Sequence, residues 1–210
     1  MMKKESTEVY LVRHGETDWN TQGLLQGHRD IPLNSNGHSQ AQELQQLLAH
    51  IPFAVTFSSD LSRAKKTAEV ISHPREIPFI QSESLRETHF GPLEGKKHTF
   101  IDELKQQQIQ TNNIPLSKDE KFKWRWHPEI ESSFEVHERT TKFLNQHAPH
   151  YKGLPILVVS HGGVLRSFLQ YFDAAAHSVW TISNCSYIHF TIGVEGHTLK
   201  NLNGIKKKEI

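Results

Sequence analysis

The sequence predicts an α/β fold: three layers, with helices on both faces of a mainly parallel central sheet. Short runs of β-branched and aromatic residues alternate with stretches whose apolar residues recur at helical spacing. Three segments that begin as such runs lead into turns or helix starts carrying Arg, His and Gly. No repeat or domain-scale linker interrupts the pattern, so residues 1–210 read as one domain.

Glu8-Val9-Tyr10-Leu11-Val12 is the first strand, ending at Arg13-His14-Gly15. Asp30 to Gly37 is punctuated as a loop. Ser39 to His50 then places Ala41, Leu44, Leu47 and Leu48 on one helical face. Phe53 to Phe57 is a second strand, followed by Ser58-Ser59-Asp60. The next helix runs from about Ser62 to Ser72, with Ala64, Thr67, Ala68 and Ile71 inward, and Pro74 and Pro78 beyond it. Ile77 to Ile80 reads as a third strand, whereas Ser84 to Lys96 carries too many breakers for a regular element.

Phe100 to Ile109 has helical spacing. Thr111 to Ile130 is polar and basic, with Trp124 and Trp126, and reads as part of a lid or insertion at about 96–130. Phe134 to Gln146 is another helix, through Val136, Thr140, Phe143 and Leu144. Pro155 to Val159 is the strongest buried strand; it ends at Ser160-His161-Gly162-Gly163, and Val164 to Phe172 continues as a helix. Ser186 to Ile192 and Thr198 to Leu202 make two late strands, and Lys206-Lys207-Lys208 a solvated tail.

Composition narrows the function classes. An apolar share of 36% suits a foldable globular chain. A formal net charge of +1 argues against a broad nucleic-acid surface. No run approaches a membrane span, and Lys3-Lys4 is followed by no signal-like apolar stretch, so cytoplasm is the expected setting. Cys185 stands alone, which rules out an internal disulfide and a cysteine metal site. Fifteen histidines are present, yet none falls in a His-Glu-x-x-His pattern, and no metal is expected. Gly91 to Lys97 has the wrong glycine spacing for a P-loop, and no Ser or Thr follows the lysine. Nothing in the sequence assigns an oligomeric state.

Parallel neighbouring strands would gather Arg13, His14, Arg63 and His161 at one sheet edge, where open α/β sheets place ligands. Four cation-capable groups together ask for an anion, and a phosphoryl group is the economical one. The Gly162-Gly163 turn opens a helix, whose first N–H groups favour the same charge. Glu87, in the irregular segment, is the candidate carboxylate.

These segments resemble the histidine phosphatase superfamily, which includes the cofactor-dependent phosphoglycerate mutases. The match runs through Leu11-Val12-Arg13-His14-Gly15-Glu16-Thr17 with Asn20, then Gln26-Gly27-His28 with Asp30 and Pro32-Leu33. It continues through Ser58 to Ala64 with Thr67-Ala68, Leu85-Arg86-Glu87, Phe90-Gly91, Glu94-Gly95-Lys96 and Val158 to Gly163. The resemblance implies a phosphoglycerate mutase-like fold and a histidine acid phosphatase-type phosphomonoesterase that needs no cofactor and no metal. It implies that His14 attacks phosphorus and becomes a phosphohistidine. Arg13, Arg63, Asn20 and, by its position, Gln26 would hold the phosphoryl oxygens, while His161 and the Gly162 N–H stabilise charge in transit. Glu87 would protonate the leaving oxygen and then take a proton from water.

The mutases of this family carry Glu-Arg-His-Tyr-Gly around the acid, whereas this chain has Glu87-Thr88-His89-Phe90-Gly91. Lys118, Lys121, Lys123 and Arg125 stand in a shorter stretch where the mutases have paired arginines. The expected activity is therefore hydrolysis of a small phosphorylated substrate, with phosphoglycerate mutase as the alternative and a non-catalytic phospho-ligand binder as the third reading. The basic residues of the lid suggest a further anionic group on the substrate, and Trp124 and Trp126 some apolar surface.

Overall fold

The computed structural model describes residues 6–112, 118–173 and 179–208. One six-stranded sheet has the order β3-β2-β4-β1-β5-β6. β1 (Thr7–Arg13), β2 (Thr56–Ser58), β3 (Phe79–Gln81) and β4 (Pro155–Ser160) are parallel to one another, and the hairpin of β5 (Val179–Gly193) and β6 (Gly196–Lys208) adds antiparallel to β1.

The two central strands explain why both read as unbroken apolar runs: each is covered on both faces. Val9 and Leu11 of β1 and Ile156 and Val158 of β4 face α6 (Ser133–His147) and α7 (Gly162–Phe172), where they join Val136, Leu144, Leu165 and Phe168. Tyr10, Val12, Leu157 and Val159 face α2 (Ser35–Leu47) and α3 (Ser62–Ser72), against Leu44, Ala64, Ala68 and Ile71. Alternation of side chains along a strand divides the core in this way.

Several boundaries differ from the sequence reading, each for a local reason. α2 begins at Ser35, inside the expected loop, because the Asn34 side chain accepts the Gly37 N–H at 2.8 Å and caps the helix. Gly37 is buried there, and a Cβ would stand 2.1 Å from the Glu16 carbonyl oxygen. The second strand is regular only over Thr56–Ser58, although Ala54 N–H and the Val55 carbonyl already bond to Pro155 and Leu157. A short helix, α1 (Asp18–Thr21), follows Thr17, which shares a capping box with Asn20.

In the expected lid, α4 (His98–Asn112) is longer than the spacing suggested, and a further short helix, α5 (Lys118–Lys123), follows. The remainder of that stretch, residues 113–117, lies outside the described residues. Leu25, Ile101 and Ile130 form a small core beneath it, with Phe90, Leu93 and Leu104 packed alongside.

The lysines Lys206 and Lys207 are not a tail. They pair with Thr181 and Trp180 inside β6, which runs to Lys208. The strand extends the expected Thr198–Leu202 at both ends; its C-terminal part read as a tail because, beyond Leu202, its residues are polar or charged apart from Gly204 and the buried Ile205. Among the described residues, no helix is long and apolar enough to cross a membrane.

One buried histidine predicts acid sensitivity. His137 of α6 stacks on Tyr171 at 4.7 Å and packs edge-on against Phe168 at 4.6 Å. Burial, with His197 acting in the same direction, lowers its pKa from 6.5 to about 4. The unfolded chain takes the proton first as pH falls. The stability His137 contributes is therefore complete above about pH 6.5 and is lost on the way down to about pH 4. His137→Leu should make the slope of unfolding free energy against pH shallower in that window, as read by urea titrations at successive pH values.

Candidate active site

The C-terminal edge of the parallel strands assembles the site. Arg13 and Ser160 are partners in the β1–β4 register, so His14 and His161 follow adjacent strand ends. His14 N–H donates to the Ser160 carbonyl at 3.0 Å, and the two imidazole rings lie 5.1 Å apart. The same edge carries β2, from which Ser59 N–H reaches the Val159 carbonyl before the chain turns into α3 with Arg63 in its first turn.

The protonation of His14 follows from its contacts. Its Nδ1 lies 2.6 Å from the Gly15 carbonyl oxygen, an acceptor, so Nδ1 carries the hydrogen and Nε2 the lone pair. Burial, then the charges of Arg63 and Arg13, hold its pKa well below the usual histidine value, so the ring is neutral at physiological pH. Its carbonyl accepts from Asn184 Nδ2 at 3.0 Å and Cys185 N–H at 3.3 Å, which ties the turn to β5. Gly15 N–H donates to Thr67 Oγ1, and the Thr67 hydroxyl donates onward to the Arg63 carbonyl.

His161 is fully buried, and neither ring nitrogen has a hydrogen-bond partner within the protein. Burial, Arg63 and His14 keep it neutral as well. Arg63, also fully buried, donates from Nη1 to the Arg29 carbonyl and from Nη2 to the Gly27 carbonyl, each at 2.8 Å. Burial brings its pKa down to about 10, so it still carries its charge at neutrality. Arg13 donates from Nη1 to the Ile182 carbonyl at 2.6 Å.

Glu87 reaches the same place from the irregular segment. Its Oε1 accepts from Gly163 N–H at 2.9 Å and Thr88 N–H at 2.8 Å, at the first turn of α7. Its own carbonyl accepts from His28 Nε2 and Arg139 Nη2, both at 2.9 Å. Ser160 Oγ donates to the Leu85 carbonyl, joining this segment to the end of β4. His28 and Arg139 hold the acid without belonging to any motif recognised as chemical.

Gly163 is the tightest point of this arrangement. A Cβ there would stand 2.2 Å from Glu87 Oε1 and 2.3 Å from Thr88 Oγ1. Gly163→Ala must displace the carboxylate, and a displacement near 1 Å costs on the order of 100-fold in turnover. Initial-rate measurements on an alkyl phosphate would show it.

A cavity of about 600 Å³ opens in front of these groups. Arg13, His14, Asn20, Gln26, Glu87 and Gly162 line it, while Arg63 and His161 stand behind the wall. All the expected residues are thus brought together, in two layers. The lid contributes differently from expectation. Trp126 lines the cavity, but Trp124 is turned to Gln108, and Arg125 is paired with Glu135. Lys121 and Lys123 are not on the cavity wall, and the Lys118 side chain lies outside the described residues.

Besides Arg13, the cations that line it are Arg166 of α7 and Lys105 of α4, and His98 lines it too. A signal for them existed: Arg166 is one helical turn beyond Gly162, and His98, Ile101, Asp102 and Lys105 recur at helical spacing. Trp180, Ile182 and Asn184 come from β5, where no motif marks them.

Residues 9–204 match the family model for the histidine phosphatase superfamily, branch 1. The chain belongs to that superfamily. Among superfamily relatives, the "Uncharacterized phosphatase PhoE" of Bacillus subtilis is 31% identical over 164 residues, 78% of this chain and 76% of that protein. "Phosphoglycerate mutase-like protein 4" of Arabidopsis thaliana is 32% identical over 190 residues, covering 85% of this chain and 76% of that one. The solved structure of Bacillus stearothermophilus YhfR is 29% identical, with a TM-score of 0.76 over 92% of this chain and 95% of that chain. Membership of the superfamily makes the protein a hydrolase or phosphotransferase acting on phosphoryl groups, on a phosphoglycerate mutase-like fold.

Proposed function

We propose that this protein is a phosphatase that hydrolyses the phosphate monoester of a small metabolite through a phosphohistidine on His14, without a metal. One observation carries the reading. The cavity-lining ring of His14 keeps its Nε2 lone pair, because Nδ1–H is held by Gly15, and Glu87 lines the same cavity.

Nε2 attacks phosphorus as the ester P–O bond breaks, and the departing oxygen takes the proton of Glu87. Water then attacks the phosphohistidine, giving a proton to Glu87 as the N–P bond breaks and inorganic phosphate leaves. Arg13, with Asn20, Gln26 and the Gly162 N–H, meets the phosphoryl oxygens, while Arg63 supplies positive charge from behind. These fixed charges do the work a metal would otherwise do.

Hydrolysis is favoured over mutase chemistry by the residues after the acid. Thr88 and Phe90 stand where the mutases have Arg and Tyr, and both line the cavity with no charge to grip a phosphoglycerate carboxylate. The relatives' names include both a phosphatase and a mutase-like protein, so the two reactions are compared directly. Purified protein given 3-phosphoglycerate and p-nitrophenyl phosphate is expected to release phosphate faster than it interconverts phosphoglycerates. The opposite order would make it a mutase, and catalysis of neither would leave a phospho-ligand binder.

A further inference from the structure

The cavity is far larger than a phosphoryl group and is of the size that encloses a whole drug-sized ligand. Its wall away from His14 has a definite chemistry. Arg166 and Lys105 both line it, and neither belongs to an ion pair among the described residues. Among the described residues, Arg166 makes one hydrogen bond, a long one of 3.4 Å to the Trp180 carbonyl. Lys105 Nζ stands 5.8 Å from the centre of the Trp126 ring.

The carboxylates of the cavity cannot satisfy both cations. Glu131 is held by Arg139, Glu16 by Asn34 and Asn36, and Glu87 by the α7 N-terminus. Asp102 acts on both cations and Glu87 on Arg166, but neither acid forms a salt bridge with them among the described residues. Arg166 and Lys105 also oppose each other's charge. The same wall carries aromatic rings: Trp126 lies by Lys105, the Trp180 backbone by Arg166, and Phe90 also lines the cavity.

We infer that Arg166 and Lys105 form a second anion subsite, so that the substrate is a phosphate monoester whose flat, apolar alcohol part carries a further anionic group. Phosphate enters at His14, the apolar body lies among the tryptophans, and the second anion rests between the guanidinium and the ammonium. Lys105 belongs to the lid whose basic residues suggested such a group, Arg166 comes from α7, and the inference rests on the phosphatase reading only for its kinetic arm.

The test compares 4-carboxyphenyl phosphate with 4-carbamoylphenyl phosphate, two phosphate esters of nearly the same shape that differ in one charge. Wild-type protein is expected to favour the carboxylate in kcat/KM by about tenfold or more, the scale of a charge-assisted hydrogen bond. Arg166→Gln and Lys105→Gln should each bring that ratio towards one. A wild-type ratio at or below one, or a ratio that both substitutions leave unchanged, overturns the subsite. Release of phosphate from neither ester would overturn the phosphatase reading instead. The ratio of dissociation constants, read from quenching of tryptophan fluorescence, would then decide the subsite by the same criterion.

Discussion

His14→Ala is expected to lower turnover of p-nitrophenyl phosphate by about three decades or more, because it removes the covalent path and leaves only solvent as nucleophile. The loss should fall on kcat. Arg13, Asn20, Gln26 and the Gly162 N–H remain in place to bind the ester, so KM should change far less. The ring also contributes little to anchoring the turn, which is held through the backbone by Ser160, Asn184 and Cys185. Unfolding by heat should therefore show a folded variant. Quenching of wild-type protein during turnover with alkaline detergent should trap one acid-labile phosphoryl group per site, and the variant should trap none. Equal rates for the two proteins, at background level, would remove the catalytic assignment altogether.

Glu87→Gln should produce a loss that depends on the leaving group. An alkoxide leaves poorly without a proton, so turnover of glycerol phosphate is expected to fall by about 100- to 10,000-fold, the range of general acid–base catalysis. p-Nitrophenolate departs without help. With that ester the first step should survive, and the phosphohistidine should accumulate because water has lost its base. A burst of p-nitrophenol equal to the site concentration, followed by a slow steady state, is the expected trace. The amide can still accept the Gly163 and Thr88 N–H groups through its oxygen, so the local structure is preserved. Loss of the burst together with the steady state would mean that Glu87 does not act as acid and base.

Much of this was legible before any coordinates. The buried strands announced themselves as apolar runs, since β1 and β4 have helices on both sides and need apolar residues at every position. The residues at their ends could be grouped because parallel strands place their C-termini together. What stayed hidden was of two kinds. The C-terminal part of β6 lies at a sheet edge and is polar, so beyond Leu202 its composition resembles a tail. Arg166, Lys105 and Trp180 reach the cavity from element interiors, where position is decided by packing rather than by a turn or a motif. His28 and Arg139 were hidden for a related reason: they act on a backbone carbonyl, and a carbonyl leaves no mark in the sequence.

The position of β6 has a consequence for how copies of this chain behave towards each other. A strand of thirteen residues at the rim of a sheet offers a row of open peptide groups to any other strand that can approach. Lys200, Lys206 and Lys207 are exposed along this strand, Lys207 also pairing with Asp173, and an incoming second copy would have to bring its own like charges alongside them. They act as guards against stacking. Replacing all three by Thr, which keeps the β-propensity and discards the repulsion, should lower the protein concentration at which light scattering first detects assemblies, and added salt should push the unaltered protein the same way.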